Sequence, residues 1–253
     1  MATMRLLLLC VASFAAGLVD AIVGGGGLIL VPAMLAGFPE VRTARVFGTN
    51  KSAAVWGTAL ATTRYVRRVA LDWRALLPAA GVALAASFCG AWTLTRVSSS
   101  VVRPVMPFVL VILLVYTLAR KHLGVDHAPR HTGRRLTGVA CAIAAVVGFY
   151  DGFLGPGTGS FFVFAFVRFA GFDFLHASAI GKLLNVATNV AALVLFARTG
   201  NIMWAYALPL AAANVAGSVV GTGVALRNGA PLVRRVFVVV VAALIVKTAV
   251  DAW

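Results

Sequence analysis

Two apolar runs in this chain end the same way, in Gly-x-x-Asp followed within a few residues by a cluster of glycines. The first reads GLVDAIVGGGG, with Gly17, Asp20, Gly24, Gly25, Gly26 and Gly27. The second, 131 residues on from Asp20 to Asp151, reads GFYDGFLGPGTG, with Gly148, Asp151, Gly155, Gly157, Thr158 and Gly159. The same offset persists downstream, where Trp73, Pro78 and Gly90 match Trp204, Pro209 and Gly221. This pattern predicts two copies of one unit, each with a helix that breaks inside an apolar layer. That is an architecture used by secondary transporters.

Composition supplies the layer. With 61% hydrophobic and 11% charged residues among 253, and a mean hydropathy of +0.97, the chain is too apolar for a soluble globule. A crossing needs about 20 apolar residues, so the length accommodates roughly eight with short connections. Period-two alternation with regular turns is absent, so helices rather than a barrel must satisfy the backbone in lipid. The expected fold is all-α: a polytopic membrane helix bundle of about eight spans, built from two tandem repeats with discontinuous or re-entrant helices.

The first repeat is placed at 1–121, a basic linker at 122–135 and the second repeat at 136–253. Candidate spans are 5–23, 43–63, 74–95 and 103–120, then 136–152, 175–197, 204–226 and 232–250. Short apolar pieces at 26–37 and 158–171 fall below crossing length and read as re-entrant segments or half-helices. Counting them as crossings would give five per half and inverted copies; four per half is preferred because of their length, and the relative orientation of the copies stays open.

The formal charge of +15 is scattered over short loops and span ends, which argues for membrane orientation rather than nucleic-acid binding. It also biases the field toward anionic solutes. The segment RKHLGVDHAPRHTGRR predicts a cytoplasmic central loop in a multi-pass protein of the inner (plasma) membrane. Arg64, Arg67, Arg68, Arg74 and Arg198 then share its side, while Arg96, Arg103, Arg227, Arg234 and Arg235 do not. Cys10, Cys89 and Cys141 read as small buried hydrophobes. His122, His127 and His131 fall in the hydrophilic loop, and no metal or other cofactor is expected. The amino-terminal run after Met4 and Arg5 imitates a signal peptide, but its match in the second half is internal, so a retained helix is expected.

Four successive glycines leave the backbone free to unwind and to present N–H groups, and a restarting helix aims its positive end at the same place. Gly24 to Gly27, and Gly155, Gly157, Thr158 and Gly159, are therefore two candidate anion cradles, with close helix packing as the alternative. After each break comes a polar stretch with one lysine: Thr49, Asn50 and Lys51 in the first half, Lys182, Asn185 and Asn189 in the second. A lysine inside a span costs roughly 3 kcal/mol and needs a partner or a wet cavity, unless it snorkels from a span end. Asp20 and Asp151 either pair with these lysines or carry protons. Asp173 is a candidate helix cap with His176 beside it, Asp72 and Glu40 read as loop residues, and Trp73 and Trp204 as interfacial anchors.

At Gly17, Asp20, Ala21 and Gly24 to Gly27, and again at Gly48, Thr49, Asn50 and Lys51, the chain resembles the TauE/SafE sulfite exporter family. The resemblance runs from about Leu9 to Val250 and takes in GPGTG and GKLLNVATN of the second half. It implies an inner-membrane carrier for sulfur-containing or small organic anions such as sulfite, sulfoacetate, thiosulfate or related carboxylates. The resulting expectation is a secondary transporter with a small anionic substrate, coupled to a proton or ion gradient, in which one half rocks against the other. Its surroundings are the lipid bilayer, and a homo-oligomer is open. Alternatives are a passive anion channel and an integral-membrane enzyme, the latter disfavoured because no GxSxG or HExxH is present.

Overall fold

The structure, a computed structural model, describes residues 2–97 and 128–251. The expected span at 103–120, together with His122, His127 and Arg103, lies outside them. The described residues form helices and no strands: α1 (Ala2–Val23), α2 (Gly27–Gly37), α3 (Thr43–Val66), α4 (Trp73–Arg96), α5 (Gly133–Phe153), α6 (Thr158–Ala165) with a π-helical turn at Phe166–Ala170, α7 (Phe174–Arg198) and α8 (Trp204–Asp251). Among them, α1, α4, α5, α7 and the Trp204–Asn228 part of α8 are long and apolar enough to cross a membrane. The fold is an all-α membrane bundle. α3 has the length but not the apolarity, because it carries Thr49, Asn50, Lys51, Ser52, Thr58 and Thr62.

Polar and apolar side chains are distributed as lipid would dictate. Leu7, Leu8, Val11, Leu77, Val146 and Leu208 are exposed on helix faces, whereas Asn50, Lys51, Asp151, Lys182, Asn185 and Asn189 are buried at the centre. In water the apolar groups would seek that centre; in lipid their exposure costs nothing and only the polar groups need shelter. Trp73 and Trp204, 43% and 56% exposed, start α4 and α8, where interfacial anchors belong.

α3 and α7 pack together at the middle, α1 packs along α8, and α4 packs along α5. Small residues set these approaches. A Cβ on Gly17 would fall 2.1 Å from Asn214 O, and one on Gly148 would fall 3.0 Å from Ala83 O. Gly90 abuts Phe149 O as Gly221 abuts Leu18 O, and Ser87 donates to Thr188 O as Ser218 donates to Gly57 O. In each pair both members are displaced by the 131-residue offset, so these glycines serve close packing.

Three expectations need correction. The connection expected near 227–231 is helical, and α8 continues to Asp251, with Asn228 Nδ2 donating to Val224 O one turn back. Cys89 is exposed, because α4 turns Ser87, Gly90 and Ala91 inward instead. Asp72 is the N-cap of α4, accepting from Arg74 N and Ala75 N, a role the loop reading missed. Asp173 caps α7 through His176 N and also holds His176 Nδ1 at 2.6 Å.

Candidate functional site

Both helix breaks turn on glycines of positive φ. Gly24 and Gly155 correspond under the offset and each has φ +81, and Gly25 (+95) and Gly157 (+85) follow. An L side chain is strained there, and the reversal ends α1 at Val23 and α5 at Phe153. Pro156 lies in the turn of the second break, two residues ahead of α6.

The breaks touch each other backbone to backbone. A Cβ on Gly24 would fall 2.4 Å from the Gly159 carbonyl carbon, and one on Gly27 would fall 3.3 Å from Pro156 Cα. Ser160 Oγ donates to Gly24 O across the contact. Where they meet is a cavity of about 20 Å³, room for about one water. Gly25, Gly26, Gly27, Gly155, Gly157, Thr158 and Gly159 line it, with Asp20, Asn50, Lys51, Thr58, Asp151, Asn185, Asn189 and Asn214.

Lys51 lies well inside α3 rather than at its start, and at 3% exposure it does not snorkel. Its Nζ forms an ion pair with Asp151 Oδ2 and donates to Asn189 Oδ1 at 2.9 Å, joining the first half of the chain to the second. Asp20 pairs differently from what the sequence suggests. Its Oδ1 accepts from Gly25 N (3.1 Å) and Gly26 N (3.2 Å), and its Oδ2 from Thr58 Oγ1 (3.1 Å). Two amides of the first cradle thus already hold a resident carboxylate.

Lys182 is buried over the Tyr65 ring, with Nζ 4.7 Å from its centroid and no hydrogen-bond acceptor among the described residues. It does not line the cavity. Neither does Thr49, whose Oγ1 donates to Arg45 O and accepts from Met203 N. Gly24 also stays off the cavity wall, in the contact with Gly159. Among the described residues no three His, Cys, Asp or Glu side chains gather as a metal group would require.

The sulfite exporter TauE/SafE family matches residues 9–248, which is nearly the whole chain and includes both breaks and both lysines. The chain belongs to the TauE/SafE family. Curated relatives agree in kind. A protein named as probable membrane transporter protein ORF9, from a Sinorhizobium species, is 38% identical over 96% of this chain and 92% of its own length. The probable membrane transporter protein YfcA of Escherichia coli K12 is 33% identical over 94% of this chain and 87% of its own. A probable membrane transporter protein of Haemophilus influenzae is 32% identical over 92% and 89%. No solved structure matches the chain.

As a TauE/SafE chain this is a membrane transporter protein, and its buried polar side chains gather where the two breaks meet. Sequence reading left Asn214 and Tyr150 out of that centre. Asn214 donates to Ser13 O and lines the cavity, and its signal was a lone carboxamide inside an apolar span. Tyr150 donates to Pro156 O at 2.6 Å and so fixes the second TauE/SafE break; a tyrosine beside the aspartate gave no such sign.

Proposed function

We propose that the chain is a secondary transporter that carries small oxyanions, sulfur oxyanions or organosulfonates among them, through the cavity where the two breaks meet. One observation carries the reading: a buried lysine, Lys51, bonded to Asn189 and sharing one cavity wall with Asn50, Asn185 and Asn214 at a backbone break. An ammonium with several amide N–H donors suits a compact anion with many acceptor oxygens. The cavity of about 20 Å³ is too small for such an anion, so loading requires the two breaks to move apart. The recurrence of contacts at one offset supports two equivalent helix groups, α1 with α8 and α4 with α5, that could rock against each other, with 122–135 as a cytoplasmic connection.

Reconstitution into liposomes tests this. Radiolabelled sulfite or thiosulfate is expected to enter with saturable kinetics and to exchange with unlabelled anion inside. Current without saturation or counterflow would make the protein a channel, and the absence of any anion flux would refute the reading.

A further inference from the structure

The two carboxylates of the site correspond under the 131-residue offset yet are held by different means. Asp20 has two backbone donors, Gly25 N and Gly26 N, and shares the single Thr58 hydroxyl proton with Ala54 O. The residue that matches Gly25 is Pro156, which has no N–H to give. Apart from the Lys51 ammonium at Oδ2, neither oxygen of Asp151 has a donor among the described residues. The negative charge of Asp20 is therefore supported by fixed dipoles, and that of Asp151 by one ammonium.

That ammonium is also the cation an oxyanion would meet in the cavity. The space left beside the ion pair takes about one water, so an anion enters only when the breaks part, and parting α3 from α5 draws Lys51 away from Asp151. The anion then takes the carboxylate's place. Stripped of Lys51 at 1% exposure and with no hydrogen-bond donor, an ionised Asp151 is far costlier than the neutral acid.

Building on the anion-carrier reading above, we propose that the transported oxyanion and Asp151 compete for Lys51, and that Asp151 takes up one proton whenever the anion takes its place. The proton comes from water on the side where the anion loads and bonds to a carboxylate oxygen of Asp151. Lys51 stays an ammonium and changes partners from carboxylate to oxyanion. On release the proton returns to water on the far side and the pair re-forms. A monovalent anion thereby crosses with no net charge.

The neighbouring groups leave this role to Asp151. Asp20, from α1, already accepts two backbone amides, and Lys182 of α7 lies over the Tyr65 ring of α3. On α5 itself the Tyr150 hydroxyl is committed to Pro156 O. α4 brings Ser87, bonded to Thr188 O, with Arg74 and Arg96 at its two ends. α6 adds only neutral groups, and Arg168 of the π turn lies against the Phe169 ring.

Calorimetry on the purified full chain, in buffers of different ionisation heat, counts the protons. The probes are methanesulfonate, acetate, thiosulfate and sulfite; methanesulfonate does not titrate near neutrality, so any uptake with it belongs to the protein. Binding is expected to take up about one proton per anion, with affinity falling about tenfold per unit rise in pH while that uptake persists. Asp151→Asn should bind without proton uptake and without this pH dependence. Asp20→Asn should still take up about one proton per anion, whatever its effect on affinity. Binding to the unaltered protein with no uptake, or uptake intact in Asp151→Asn, overturns the proposal. If Asp151→Asn does not fold, the count on the unaltered protein decides alone. If no probe binds at all, the anion-carrier reading fails and takes this one with it, whereas proton-free binding sinks only the coupling.

Discussion

Lys51 and Asp151 bury opposite charges within the apolar bundle, and neither is tolerable there without the other. Lys51→Met is expected to destabilise the protein by about 3–5 kcal/mol, because it strands a buried carboxylate, and Asp151→Leu by a similar amount. The double variant should recover most of that loss, since no bare charge remains, while transport stays absent in all three. Denaturation in detergent followed by counterflow measures both. Additive losses would mean that the two side chains do not depend on each other. The sequence marks both residues as expensive groups in need of partners. It does not choose among pairings, and Asp20 goes to amides and Thr58 rather than to a lysine because the glycine turn brings those donors closer.

At the scale of elements, the breaks depend on the absence of side chains at a few positions. Gly24→Ala puts a Cβ 2.4 Å from Gly159 C at φ +81, and Gly159→Ala puts one 2.5 Å from Gly24 Cα. Each is expected to cost about 2 kcal/mol or more and to impair transport by pushing the breaks apart. Gly138→Ala is the control: it lies in α5 with nothing within 4 Å of the new Cβ, and a gain of about 0.5–1 kcal/mol is expected. Thermal unfolding of the three variants checks this, and an unaffected Gly24→Ala would show that the two turns do not touch. Helix positions were legible from apolar runs and turn residues, with α2 at Gly27–Gly37 against an expected 26–37. The end of the chain was not, because the spans expected at 204–226 and 232–250 are one continuous helix, α8.

For the whole molecule, the strongest contacts run between the halves. α1 lies along α8, α4 along α5, and Lys51 reaches across to Asp151 and Asn189. Residues 1–121 or 136–253 expressed alone should therefore be degraded, and the two co-expressed should copurify through a tag on one of them. A half that is stable by itself would contradict the interleaved packing. The repeat was visible as matched residues, but its consequence was not. Ser87 with Thr188 and Ser218 with Gly57 recur at the same offset because each half supplies what the other lacks.

Composition, the spacing of apolar runs and the doubled glycine motif were enough to place this chain in a membrane as broken helices. Those properties act locally, through the length of a crossing and the freedom of a glycine backbone. Which donors meet Asp20, that Lys51 belongs to Asp151, and that Lys182 stands apart over Tyr65 were decided only by tertiary packing. Such pairings depend on distances of a few ångströms between residues more than a hundred positions apart, and no local pattern encodes them.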